Sequence, residues 1–467
     1  MSKPQKTAVR IAATGARLAA GIVVSAACVA GAAFAIPAAW PTVTATPPRT
    51  TVTPVAADTL LSCTGPFLAL GRDATQPDAL GIAATPSVVS AAAPGSSLSA
   101  QSLALPAVPG GEAAAFTAPP SDAAPAQVAA AQSVSVSSED LAGFAASACR
   151  PPSLDSWLVG GAGTTGSNDI VLVANPGAVA ASVTFTEFGS QGLAPRVSEL
   201  VVQPGTQAAV PLVGSAAGEP SPVVEVTSTG APVRAALQSS LIRTLDPVGV
   251  DTQDAVPQPR TDFSLLGVRA LVPSADDDAT TAVRLLAPHE GATVTLQPRS
   301  AADGSAVGAP KKVKLTAGQV GSVDFSSLKP GLYGIDITST APVVAAARQT
   351  TGVAKGSDFA WMTPAPDITG TTTFAVAAGP SPQLHVQNAS AQDVAVELAP
   401  VSGGASQKLT LKTGEAVTVP LTASTVCRLQ APTAVRAAVG FSGPGQLAGY
   451  PVWATDAAAA PIEVYQR

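Results

Sequence analysis

The sequence predicts a mainly β protein: tandem immunoglobulin-like β-sandwich modules after a single N-terminal transmembrane helix. Three observations carry that prediction. An apolar run without a charge lies close to the N-terminus. From Trp157 onward, alternating β-branched residues are punctuated by Gly and Pro, the pattern of strands and turns. Three short blocks then recur in the same order three times.

The N-terminal elements come first. Residues 1–17 form a basic tail with Lys3, Lys6, Arg10 and Arg17, and no further charge appears before Arg49. The apolar run from Leu18 to Ile36 would be roughly 28 Å long as a helix, close to the ~30 Å hydrocarbon core of a bilayer. The positive charge lies on its N-terminal side, so the rest of the chain is expected to be translocated. Residues 18–40 therefore read as an uncleaved signal anchor. Ala33-Phe34-Ala35 offers the alternative of a signal peptide cleaved after Ala35. A lipoprotein site at Cys28 fits poorly, because Ser25 stands where a branched aliphatic residue is usual. Residues 41–56 (PTVTATPPRTTVTP and its flank) are a Thr/Pro spacer, extended by its prolines.

Residues 57–150 are rich in Ala, Ser and Pro, and only a few strands are expected there. Export places Cys63 and Cys149 in an oxidising compartment, where they can form a disulfide; two buried thiols are the other reading.

The modules follow, over residues 151–260, 261–355 and 356–467. Each opens with strand, turn and strand: IVLVANPGAVAASVTF from Ile170, AVRLLAPHEGATVTL from Ala282 and QLHVQNASAQDVAVEL from Gln383. A glycine then precedes a valine by five positions each time, Gly205 to Val210, Gly318 to Val323 and Gly414 to Val419. The glycines are expected in turns that need positive φ, and the prolines after Val210 and Val419 at strand ends. A third block closes each unit: EVTSTGAPVRAAL from Glu225, DITSTAPVVAAA from Asp336 and RLQAPTAVRAAV from Arg428. Its small alanines would face inward, where two sheets approach closely.

Composition limits the chemistry. Charged residues are 12% of the chain, about half the usual fraction, and the net charge of −6 is spread out, so nucleic acid is not an expected partner. Two histidines, His289 and His385, both read as surface residues, leave little for general-base or His/Cys metal chemistry. Gly161-Ala162-Gly163-Thr164-Thr165-Gly166 matches the dinucleotide fingerprint, but a strand, not a helix, is expected after it, so it reads as a flexible loop. Asp276-Asp277-Asp278 lacks the alternating spacing of a calcium loop. Asn388-Ala389-Ser390 is a formal glycosylation acceptor of no weight on its own. Trp157, Trp361 and Trp453 read as core aromatics, with carbohydrate stacking as the alternative for one of them. No catalytic, cofactor or metal residues are assigned, and the chain is expected not to be an enzyme.

The order of basic tail, anchor, LSCTGP at Leu61–Pro66, ACRPPSLDSWLVGG at Ala148–Gly161, the VLVANPG turn and the repeated β modules resembles a secreted actinobacterial family known only as a domain of unknown function, number 5719. The resemblance implies an extracytoplasmic envelope protein with no catalytic residues to carry over. The partner expected from this is an envelope protein or glycan, with carbohydrate binding in polysaccharide assembly or adhesion as the alternative function. The membrane is engaged through the N-terminal helix.

Overall fold

The structure, a computed structural model, describes residues 5–35, 49–52, 56–71, 75–76, 79–120, 124–192, 194–214, 216–271, 281–454 and 462–465. The chain divides into two compact units, Met1–Thr53 with Pro461–Arg467, and Pro54–Ala460.

The first unit holds one α-helix, Gln5–Ala35, whose stretch Thr14–Phe34 is long and apolar enough to cross a membrane. It also holds an antiparallel pair between Arg49–Val52 and Ile462–Tyr465. Two expectations are corrected here. Part of the Thr/Pro spacer is a strand, and the last strand of the chain belongs with it and not with the third module. The sequences RTTV and IEVY explain this, since alternating β-branched residues favour strand pairing.

In the second unit each of the three modules is a two-sheet sandwich built on one plan. In the first, Asp155–Leu158, Val223–Thr229, Ala181–Phe188 and Arg196–Val202 form one sheet. Asp246–Asp254, Arg234–Arg243, Ser167–Asn175 and Thr206–Pro211 lead the other. In the second and third modules, Gly331–Thr350 and Thr425–Gly443 are single long strands that do the work of two. Residues 333–339 pair with Ala292–Ser300, and residues 344–349 with Thr281–Leu286 in the facing sheet. The third recurring block is thus where the chain crosses between sheets. Its alanines are buried on both sides of the crossing, with Ala235, Ala345 and Ala437 no more than 1% exposed. The three turn glycines have φ of 68°, 70° and 72°, and Pro211 and Pro420 end their strands. Phe359–Met362 pairs with Gly331–Thr350, so the second module's sheet runs past residue 355.

Asn175 and Asn388 occupy the same place in the first and third modules. Asn388 is 2% exposed, and its Nδ2 donates to the carbonyls of Gln392 (2.7 Å), Leu411 (3.1 Å) and Lys412 (3.0 Å). A side chain spent this way inside the fold cannot carry a glycan in the folded protein. Asn388→Ala is expected to cost about 1–3 kcal/mol in chemical denaturation, because it orphans buried carbonyls. Intact mass should show no glycan at this position.

Residues 57–150 are far richer in strands than expected: eight among the described residues, from Thr59–Ser62 to Ala142–Cys149. Alanine is a weak strand former, so the pattern is faint in the sequence. Three of these strands extend a sheet of the first module, joined through Thr206 and Ala104. Cys63 and Cys149 are disulfide-bonded, with Cα atoms 4.2 Å apart and a sequence separation of 86. Next to the bond, Ser62 and Arg150 exchange backbone hydrogen bonds of 2.9 and 3.0 Å. Three buried glutamines grip the chain beyond it. Gln132 pairs with both backbone groups of Gly65, Gln238 does the same for Leu68, and Gln207 donates to the Thr64 carbonyl.

All of this converges on one carboxylate. Ala142–Cys149 and the last strands of the three modules, Asp246–Asp254, Phe359–Met362 and Gln446–Pro451, come together around Asp358, which is 0% exposed. Its Oδ1 accepts the amides of Val250 and Phe359, both at 3.0 Å, and its Oδ2 those of Phe144 and Leu447, both at 2.9 Å. Each of the four strands contributes one backbone N–H. Burial raises this carboxyl to about 8, against the four amides, which favour the ionised form. A proton on it would have to displace one of the four donors. Gly143 and Gly249 precede two of these amides, at φ of 149° and 131°. A Cβ at Gly249 would lie 2.7 Å from the Phe359 ring and 2.8 Å from Asp358 Oδ1. Gly249→Ala is expected to cost about 2–4 kcal/mol, from strain and overpacking together. A loss under about 1 kcal/mol would show that the hub tolerates expansion.

Candidate functional site

The strand that carries the hub also floors a cleft. Phe359 and Trp361 alternate with Ala360 and Met362, and the first pair lines a cavity of about 250 Å³ between the first and second modules. Trp361 is held by its backbone N–H, which donates to Asp251 Oδ2 at 2.8 Å.

Three arginines reach this cavity from different strands: Arg243, Arg284 and Arg348. Arg284 is the deepest, 7% exposed, and its guanidinium lies over the Trp361 ring at 4.7 Å. Its Nη1 donates to the carbonyls of Gly161 (2.8 Å) and Pro222 (2.9 Å). Burial lowers it to about 10, so it remains protonated near neutral pH. Arg348 lies over the Phe359 ring at 5.4 Å. The carboxylate among the lining residues is Asp169, 4% exposed, which accepts the Ala162 N–H at 2.7 Å.

Burial raises Asp169 to about 6, against the hydrogen bonds from Ser239 and Ala162 and the charge of Arg284. The folded value lies above the ordinary carboxylate value, so the stability this group contributes is fully present below about pH 4 and is lost as pH rises through about 6. Denaturation at pH 4.5 and 7.5 should show that loss in the wild type, and Asp169→Asn should reduce it. An unchanged difference would assign it to other groups.

The loop Gly161–Gly166 forms one wall. A strand, Ser167–Asn175, follows it, so no helix N-terminus is presented to a pyrophosphate. The loop is not loose as expected: Gly163 donates to the Glu219 carbonyl at 2.7 Å and its carbonyl accepts the Gly218 N–H at 2.8 Å. A side chain at Gly163 would collide with the Ala216 carbonyl.

The other residues singled out by sequence are dispersed. His289 is exposed, but His385 is 4% exposed, correcting the surface assignment. It packs against Gly267 and Gly440, shares a 3.0 Å hydrogen bond with Thr418, and is lowered to about 4 by burial. Asp276-Asp277-Asp278 lie outside the described residues. Trp157 and Trp361 are 1% and 5% exposed, and the half-buried Trp453 carries the Arg150 guanidinium on its ring at 3.3 Å. No group of three His, Cys, Asp or Glu that could hold a metal exists among the described residues.

An N-terminal apolar helix followed by mainly β modules joined through several sheets defines the class of protein. Residues 104–422 match a family of unknown function (DUF5719), and the chain belongs to that family. No curated protein matches it. Among solved structures, the FN1–FN3 domains of chicken CNTN1 align at 10% sequence identity over 68% of this chain and 99% of theirs. The TM-score of that alignment is 0.12.

Proposed function

We propose that this chain is a non-catalytic scaffold of the cell envelope, with its β unit outside the cytoplasm, presenting a rigid surface to an envelope protein or glycan. The observation that carries this reading is the hub. Four strands from three sandwiches and the N-terminal segment share one buried carboxylate, an arrangement that opposes hinge motion between modules. Other buried polar groups are likewise engaged structurally: Arg234 pairs with Asp254 at 2.5 Å inside the core, and Arg436 bridges Asp262, Ser264 and Asp367 where the second and third modules meet.

Limited proteolysis of the full chain in detergent tests the rigid unit. The expected product is a resistant fragment bounded near Pro54 and Ala460, whereas early cuts at the module junctions near residues 257 or 364 would overturn it. N-terminal sequencing of the mature protein decides how it is held: Met1 or Ser2 for an anchor, Ile36 for a cleaved signal. Crosslinking from exposed strand positions in intact envelopes should yield a defined protein or glycan adduct. The absence of an adduct from every face would remove the scaffold reading.

A further inference from the structure

The geometry points to the cleft between the first and second modules as a binding site for an acidic saccharide, a sugar bearing a carboxylate or phosphate. This stands apart from the scaffold reading and does not rest on it. Charge is the first argument. Arg243, Arg284 and Arg348 converge on one cavity from three strands, with Asp169 the carboxylate in its lining. Arg284 is buried and protonated; its Nη atoms bond to backbone carbonyls and the Ser221 hydroxyl, which orient the guanidinium, and Asp169 and Glu219 offset part of its charge. With its Nη hydrogens engaged, Arg284 contributes positive charge at the base of the cavity, while Arg243 and Arg348 bring to the same space guanidinium groups of the kind that pair with carboxylate and phosphate.

The lining favours a saccharide over a bare anion. The cavity of about 250 Å³ is bordered by the Trp361 and Phe359 side chains as well as by charge, an apolar and polar mixture that a bare anion does not use. Beyond the arginines its lining includes Thr164 and Ser167, whose hydroxyls can donate and accept, and Ser239 and Ser240, whose protons go to Asp169 and to the Asn168 carbonyl and whose oxygens remain acceptors. The walls are also fixed in advance. The Gly161–Gly166 loop is bonded to Gly218 and Glu219, and the floor strand is tied to Asp251 and to the hub, so little ordering opposes binding.

Calorimetric titration of the full chain in detergent tests this with four probes: galacturonic acid, glucose 1-phosphate, galactose and inorganic phosphate. The first or second should bind at least tenfold more tightly than galactose and than inorganic phosphate. Arg243 and Arg348 are partly exposed; Arg243→Gln and Arg348→Gln, each checked for an unchanged urea midpoint, should weaken the acidic sugar about tenfold, and the pair should abolish measurable binding. Asp169→Asn, which removes the opposing charge, should tighten it several-fold. Three outcomes would overturn the proposal: no acidic sugar bound at millimolar concentration, galactose or inorganic phosphate bound as tightly as the acidic sugar, or affinity unchanged in the double variant. A chain that fails proteolysis but binds the acidic sugar loses the scaffold reading alone.

Discussion

Asp358→Ala is expected to abolish cooperative folding of the Pro54–Ala460 unit. The substitution leaves four buried amides, those of Phe144, Val250, Phe359 and Leu447, without an acceptor. At about 1–3 kcal/mol for each orphaned buried donor, the loss is on the order of 4–12 kcal/mol, comparable to the whole stability of a domain. Asp358→Asn separates charge from shape. Its oxygen can still accept two amides, but its NH2 turns hydrogens toward the other two, so it should cost at least about 3 kcal/mol although nearly isosteric. Urea denaturation followed by tryptophan fluorescence reads both variants, since Trp361 lies three residues away. An Asn variant within 1 kcal/mol of the wild type would mean that the hub does not depend on an acceptor at both oxygens.

Loss of the Cys63–Cys149 bond should have the next largest effect, about 2–5 kcal/mol. The bond closes a long loop, and it clamps the Thr64–Leu68 segment beside the backbone exchange of Ser62 with Arg150. Gln132, Gln207 and Gln238 hold the same segment from the other side, so the double Cys→Ser variant should fold but unfold earlier in urea. Hydrogen exchange should rise first between Ser62 and Leu70 and at Ala148–Arg150. Equal stability and electrophoretic mobility with and without reductant would rule the bond out.

The parts of this architecture that repeat were legible in the sequence. The five-position step from Gly205, Gly318 and Gly414 to a valine locates three equivalent turns, and the alanine block locates three crossings, because sandwich turns and close sheet contacts impose residue types locally. The strands of residues 57–150 were not legible. They are short and alanine-rich, and several, such as Ser99–Ala104, gain their place by adding to a sheet built elsewhere. The hub was also hidden: Asp358 sits in KGSDFAWM like any turn residue, and its four donors are all backbone amides, which leaves no side-chain signature beyond Gly143 and Gly249. The cleft was half visible. The Gly161–Gly166 loop stood out as a motif, but Arg243, Arg284 and Arg348 belong to separate strands and acquire a common purpose only through the packing of two modules.

The hub also sets a timetable. A chain that emerges from its N-terminus delivers Phe144 long before Asp358, which follows 214 residues later, and Leu447 arrives 89 residues after that. Until Asp358 emerges the Phe144 and Val250 amides lack their acceptor, and until Leu447 emerges the carboxyl lacks its fourth donor. Closure therefore belongs to the last step of emergence, and its rate is governed by contacts of very high sequence separation. Nascent chains stalled before Leu447 would remain open to proteases and chaperones at their joints, even with each early sandwich already formed.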